Sequence, residues 1–236
     1  MIIIFFWFSA NGFVRGESQV VFLLQRSDRA KRAYAKVLGA RMLFDGSPHR
    51  DLLSPTVGSI ARLLDDVYED INVDKKKVKY VECYGTGYQP TDFAEVEGLK
   101  AALCKGRQDP LLIGSVKGNV GHSEGSSGMV SLVKVISILR TGVIPKTLNY
   151  QKPNPRIPSL VDGSVQVVAE NTPMAIDDDT IIGTTAMSFT GTIGHVVLGV
   201  ASKSKVPVNP ENEIPRLILA CGRSEEEVTR VLTKVG

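Results

Sequence analysis

The sequence predicts an α/β fold. Short apolar strand-like runs alternate with helical patterns along most of the chain. Two glycine-rich loops each follow a predicted strand and precede a predicted helix, and in open α/β sheets sites lie at such carboxyl ends of strands.

The first residues, MIIIFFWFSA, form an apolar run well short of the roughly 20 residues of a membrane span. They read as a buried strand, or as a sequence without its true beginning, rather than as a signal peptide, since no basic n-region or clear cleavage site is present. Asn11 and Gly12 signal a turn. Val20 to Leu24 (VVFLL) reads as a buried strand, and Ser27 and Asp28 open a short helix running to Ala35. Asp45 and Gly46 make a turn, with irregular chain to Pro55. Ile60, Leu63, Leu64, Val67 and Tyr68 recur at helical spacing and predict an amphipathic helix over Thr56 to Asp70.

Lys79 to Cys83 (KYVEC) is the next strand, followed by Gly85, Thr86 and Gly87 and then a helix over Thr91 to Cys104. Leu111 to Ser115 is a strand, and Ser123 to Leu139 a long helix. Gln151 to Pro158 carries three prolines and reads as a rigid connector. Val165 to Val168, Ile181 to Ala186 and His195 to Val200 are strands, with a turn over Thr190 to Gly194 between the last two. Residues 206–215 (VPVNPENEIP) read as a linker. Arg216 to Cys221 is strand-like, and Ser224 to Glu227 is a capping box before Val228 and Val231. The expected organisation is a domain over residues 1–205, a linker over 206–215 and the start of another domain over 216–236.

Composition excludes several classes. The chain has 236 residues, 43% hydrophobic and 22% charged, with a net charge of +3. Its basic residues are scattered, and the densest run, Lys75 to Lys77, reads as a solvated turn, so no nucleic acid partner and no membrane association are expected. Three cysteines, Cys83, Cys104 and Cys221, with no C-x-x-C pair, argue against a disulfide framework or a metal site and suit a reducing, cytoplasmic setting.

The chemistry-bearing stretch is residues 114–128, GSVKGNVGHSEGSSG. Lys117 and His122 sit among glycines that let backbone approach a substrate, and Ser123 can cap the helix that follows. A histidine at a helix N-terminus is pushed toward its neutral form and can donate from Nε2 to a developing oxyanion. The competing reading is a histidine satisfied by local backbone in a structural turn. The spacing lacks the G-x-x-x-x-G-K-[ST] pattern of a nucleotide loop. In the other loop, residues 82–92 (ECYGTGYQPTD), threonine hydroxyls can hold a polar arm, and Cys83 reads as a buried, inert thiol rather than a nucleophile. His195 reads as a core or strand-end histidine, and His49 as a solvated one.

Both loops, in this order, resemble those of the β-ketoacyl synthase family of decarboxylating condensing enzymes. There the first reads E-A-H-G-T-G-T-x-x-G-D-P and the second S-x-K-S-N-x-G-H-x-E-x-x-S-G. The likeness is strongest to the ketosynthase domain of animal-type fatty acid synthase, covers roughly Ala10 to Val200, and is supported by Asn11 to Arg15, Pro153 to Pro155 and Asp162 with Gly163. It implies a thiolase-like fold, here the C-terminal half of a layered αβαβα domain.

The resemblance also implies a Cys-His-His chemistry. A cysteine takes an acyl group from the phosphopantetheine arm of acyl-carrier protein, and two histidines promote malonyl decarboxylation and hold the thioester oxyanion. No covalently bound cofactor is implied. Acyl-carrier protein and malonyl and acyl thioesters are the implied partners, with a homodimer or self-association. By the resemblance His122 is the second family histidine and Lys117 the lysine that supports it. Tyr84 stands where the first histidine belongs. Thr86 and Asp92 match substrate-arm positions, Glu95 also matches, and Tyr88 replaces a threonine. The later family motif, carrying an acyl-pocket gate, is shortened to Met187 through His195. The nucleophilic cysteine falls upstream of everything matched, so the chain is expected to be inactive alone, as half of a synthase or as a non-catalytic interaction protein.

Overall fold

The structure, a computed structural model, describes residues 6, 10–46, 54–201 and 224–233. The chain divides into two compact units, residues 1–202 and 203–236.

The first unit is built on a six-stranded mixed sheet. Its elements run β1 (Lys36–Phe44), α1 (Val57–Asp70), β2 (Val78–Glu82), α2 (Gln89–Leu103), β3 (Leu111–Gly114) and the one-turn α3 (Lys117–Val120). After these come α4 (Ser127–Thr141), β4 (Val143–Ile144), α5 (Pro158–Val161), β5 (Val165–Val167), β6 (Thr172–Pro173), β7 (Ile181–Met187) and β8 (Thr192–Gly199). The strand order is β1-β8-β7-β2-β3-β5, and β4 pairs with β6 separately. From β7 through β2 and β3 to β5 the pairing is parallel, whereas β7, β8 and β1 form an antiparallel meander end.

Both faces of the sheet carry helices, although the edge strand β1 stays largely exposed. Adjacent residues of a strand point to opposite faces, and Ile181 and Ile182 of β7 accordingly enter separate cores. On one face α1 and α2 pack over Val78, Val81, Leu111 and Ile113. On the other, Val135, Ile138 and Leu139 of α4 pack against Tyr80, Ile182 and Leu198. Helix α1 buries Ile60, Leu63, Leu64, Val67 and Tyr68, the stripe its spacing predicts. It starts at Thr56, whose hydroxyl accepts from Ser59 N, so its expected bounds hold closely.

Several local expectations are corrected. Residues 20–24 form no strand, and Val21, Leu23 and Leu24 are 87%, 85% and 78% exposed. Residues 27–35 form turns rather than a helix, because their sequence offers no apolar stripe to pack. Residues 36–44, to which the sequence assigned no element, form β1, which exists by pairing along β8 from Lys36 with Gly199 to Phe44 with Thr192. The turn before β8 lies over Ser188 to Gly191, and Thr192 already belongs to the strand. The N-terminal apolar run other than Phe6 and Ala10, residues 206–215 and the run 216–221 lie outside the described residues, as does His49.

In the second unit α6 (Glu225–Thr233) begins after Ser224, whose hydroxyl accepts from Glu227 N at 3.3 Å, as the capping box predicts. No helix among the described residues is long and apolar enough to cross a membrane.

Candidate active site

Parallel neighbours β2 and β3 end side by side, and Cys83 N donates to Gly114 O at 2.8 Å just beyond them. The two glycine-rich loops leave from these ends, so the candidate residues Tyr84, Lys117 and His122 meet. A third segment, residues 10–18, crosses both: Gly12 N donates to Gly87 O, His122 N to Val14 O and Gly16 N to His122 O, at 2.8–3.0 Å. A Cβ on Gly16 would stand 2.3 Å from Val120 O, so only glycine allows this approach.

His122 is 3% exposed, with Phe13 against its ring at a centroid separation of 4.5 Å. Its Nδ1 accepts the backbone N–H of Glu124 at 2.9 Å. A backbone N–H is only a donor, so the neutral ring carries its proton on Nε2. Nε2 in turn lies 3.1 Å from the Tyr84 hydroxyl. Burial, and then the Lys117 ammonium, hold the His122 pKa down to about 4, keeping the imidazole neutral at physiological pH.

Ser123 makes no capping bond, and its buried Oγ has no hydrogen-bond partner among the described residues. The expected cap is replaced by the His122 imidazole on Glu124 N. A 3₁₀ turn over Glu124 to Ser126 comes first, and α4 starts only at Ser127.

Lys117 is buried beneath the loops with its ammonium 4.8 Å from the Tyr84 ring centre. Burial lowers its pKa, and the charges of Glu82 and Glu95 oppose that. The Tyr84 phenol is pushed up to about 12, by burial first and then by Glu95 and Glu124, so it stays protonated. Tyr84, Lys117 and His122, singled out from sequence, therefore form one contiguous cluster.

Thr86 and Asp92 stand differently. Asp92 is buried inside its loop, where Oδ1 accepts from Thr86 N and Gly87 N and Oδ2 from Phe6 N. Burial raises its pKa to about 6 against those hydrogen bonds. Thr86 is also buried, and its Oγ1 accepts from Tyr88 N at 3.3 Å. Here both residues shape the loop rather than line its surface. Glu95 does the same from α2, accepting from Tyr84 N at 2.7 Å and Gly85 N at 2.9 Å.

Cys83 is fully buried, and burial, then Glu95 and Glu82, push its thiol pKa up. His195 lies in the core between Tyr68, 3.2 Å from Nε2, and Thr185, 3.1 Å from Nδ1, far in role from the loops.

Sequence reasoning missed the strap of Phe13 to Gly16 as a wall of the site. It also missed Lys134 and Tyr80, which reach the site's underside through Glu82. For the strap the signal was present, since Asn11 to Arg15 belong to the resemblance; for Lys134, one lysine on a long helix, there was none.

Comparison with known proteins gives the family of the chain. The family profile described as "Beta-ketoacyl synthase, C-terminal domain" matches residues 34–151, half of the chain, and that described as "Ketoacyl-synthetase C-terminal extension" matches residues 153–236. A highly reducing polyketide synthase of Penicillium rubens is 36% identical over 164 residues, 68% of this chain and 6% of that protein. A phenolphthiocerol/phthiocerol polyketide synthase of Mycobacterium tuberculosis is 32% identical over 197 residues, 81% of this chain and 13% of that protein. Among solved structures, the ketosynthase from module 1 of the bacillaene synthase of Bacillus amyloliquefaciens superposes with a TM-score of 0.73 at 25% identity, covering 84% of this chain and 36% of that one. The module 6 ketosynthase of Bacillus subtilis gives 0.66 at 26% identity over 71% and 30%. The chain thus spans a small part of its relatives. These relatives are polyketide synthases rather than animal-type fatty acid synthases, so the likeness is to ketosynthases of the polyketide and fatty acid synthase type and not to the animal enzyme in particular. With the thiolase-like sheet, the paired loops and the profile match in agreement, the chain belongs to the β-ketoacyl synthase family and carries its C-terminal ketosynthase domain.

Proposed function

We propose that this chain supplies the histidine-and-lysine half of a ketosynthase site, one that condenses acyl and malonyl thioesters presented on the phosphopantetheine arm of an acyl-carrier protein. The observation that carries the reading is the Glu124 N–H on His122 Nδ1. It fixes an uncharged imidazole with a donor at Nε2, the form needed to stabilise a thioester oxyanion or enolate. Lys117 adds a fixed positive charge beside it. The polyketide synthase relatives and the fatty acid synthase-like motifs call for the same carbon–carbon bond formation; the chain belongs to fatty acid or polyketide assembly on this reading.

By the resemblance the acyl-accepting cysteine of that reaction lies upstream of the matched residues, and Cys83 is too buried and protonated to take its place. Tyr84 occupies the place of the first histidine. A phenol can donate one hydrogen bond, but near pH 7 it does not offer the nitrogen acceptor of a neutral imidazole. The chain is therefore silent alone and poor at decarboxylation when completed.

The test is a hybrid ketosynthase in which residues 10–201 of this chain replace the corresponding half of a working enzyme, assayed for release of CO₂ from malonyl-carrier protein. The Tyr84→His hybrid should exceed the parent hybrid by about 100-fold, the scale of one general acid–base group, and His122→Ala should abolish activity in both. A Tyr84→His effect of nothing, or activity surviving His122→Ala, overturns the reading. A hybrid silent in every form favours the second reading, an interaction protein, which the exposed apolar residues Val21, Leu23 and Leu24 support.

A further inference from the structure

Beneath the two loops lies a closed polar cluster that the condensation chemistry does not use. Glu82, at the end of β2, has a fully buried carboxylate. Its Oε2 accepts from the Tyr80 hydroxyl at 2.7 Å and pairs with Lys134 Nζ at 2.8 Å. Lys134 Nζ also donates to the Tyr80 hydroxyl at 2.9 Å, closing a triangle. The other oxygen, Oε1, accepts from Val116 N at 2.6 Å. Val116 immediately precedes Lys117 and opens the loop that ends in His122.

A buried carboxylate keeps its charge only with compensating partners, and a neutral carboxyl accepts a hydrogen bond more weakly. Lys134 is the cation bonded to Glu82, and the Lys117 ammonium acts on the same carboxylate through space. Lys134 reaches in from the middle of α4, on the far side of the sheet from α1 and α2. The cluster is also fitted to the strand beside it. A Cβ on Gly114 would stand 2.6 Å from both the Tyr80 hydroxyl and Thr147 Oγ1, so the last residue of β3 has to be glycine for the cluster to close.

We propose that Lys134 is a positioning residue for the His122 loop, acting through Glu82 on the Val116 amide. The proposal rests on the ketosynthase reading only in taking His122 as the working group. Lys134 Nζ bonds Glu82 and the Tyr80 hydroxyl rather than His122, and so holds the carboxylate that anchors the loop's entry. Its loss frees the loop while the sheet and its helices stay packed.

Diethylpyrocarbonate labelling of the intact chain, mapped by mass spectrometry, separates that effect from general weakening. His122 and His195 are both buried, one in the loop and one in the core. In Lys134→Met the His122 labelling rate should rise roughly tenfold, the scale of one charge-assisted hydrogen bond, with the His195 rate unchanged. Adding Glu82→Gln, which removes the unpaired charge and keeps a carbonyl oxygen for Val116 N, should bring His122 back toward the parent rate. Where circular dichroism shows Lys134→Met unfolded, Tyr80→Phe decides on the same two rates. A common rise at both histidines in a folded variant makes Lys134 merely structural and overturns the proposal, as does an unchanged His122 rate. Labelling makes no use of activity, so failure here and failure of the hybrid enzyme are distinguishable.

Discussion

The Tyr84 hydroxyl lies 3.1 Å from His122 Nε2, with the two rings edge-on at 90°. On the proposed ketosynthase reading, the nitrogen that would serve an oxyanion is thus occupied by Tyr84. Since Nδ1 is taken by Glu124 N–H, the Nε2 proton has the phenol as its acceptor. Tyr84→Phe removes that acceptor and leaves a buried N–H unsatisfied, which costs about 1–3 kcal/mol. Urea denaturation should show a lower midpoint with an unchanged slope. An equal or higher midpoint would mean that the Tyr84–His122 contact adds nothing to the fold.

The His122 pKa of about 4 has a definite pH consequence. An unfolded histidine titrates near 6.5. Between those values the unfolded chain binds a proton that the folded chain refuses. The contribution of His122 to stability is therefore intact above pH 6.5 and falls progressively as pH drops toward 4. His195, held near 3 by burial, acts in the same direction to lower pH. Imidazole resonances of His122 should stay in the neutral form, with Nε2 protonated, down to about pH 5. Lys117→Met removes the neighbouring positive charge and should move the His122 titration upward. A downward shift would contradict the cause assigned to it.

Much of this site was legible in the sequence because its parts lie close along the chain. Lys117 and His122 share one loop, and Tyr84 and Asp92 share the other, so the resemblance of two short motifs was enough to single them out. The period of Ile60 to Tyr68 likewise gave α1, since an amphipathic stripe is a local property. What failed was whatever depended on a distant partner. Val20 to Leu24 has strand propensity, yet a strand exists only when paired, and among the described residues nothing pairs with it. β1 has the opposite history: Gly39 and Arg41 spoil its pattern, but its ladder with β8 makes it a strand. The Lys134–Glu82 pair joins two elements far apart in sequence, and no spacing rule reaches it.

The same unpaired stretch predicts self-association. Val21, Leu23 and Leu24 are exposed next to one another, and β1, at the edge of the sheet, also exposes Met42 and Phe44. Exposed apolar residues along unpaired chain and sheet edges favour pairing with another chain. Sedimentation velocity should show a concentration-dependent increase in mean mass, and Val21→Lys with Leu23→Lys should reduce it. A sharp monomer over a hundredfold range of concentration would refute the expectation.

The last prediction concerns acyl transfer. Cys83 sits at the end of β2 beside the site, where a nucleophile would be convenient. Its environment opposes that role: it is fully buried, and burial together with Glu95 and Glu82 holds the thiol protonated. Nucleophilicity belongs to the thiolate, so a raised pKa removes it. Cys104, at the end of α2, is only partly buried, and its thiol is pushed up by burial with Arg107 and Lys100 opposing. Iodoacetamide at pH 8 should therefore alkylate Cys104 well before Cys83 in the native chain, and both together once urea is added. Incubation with acyl-loaded carrier protein should leave Cys83 unmodified by mass spectrometry. An acyl group found on Cys83 would give the chain a nucleophile of its own, and it would then no longer be silent alone.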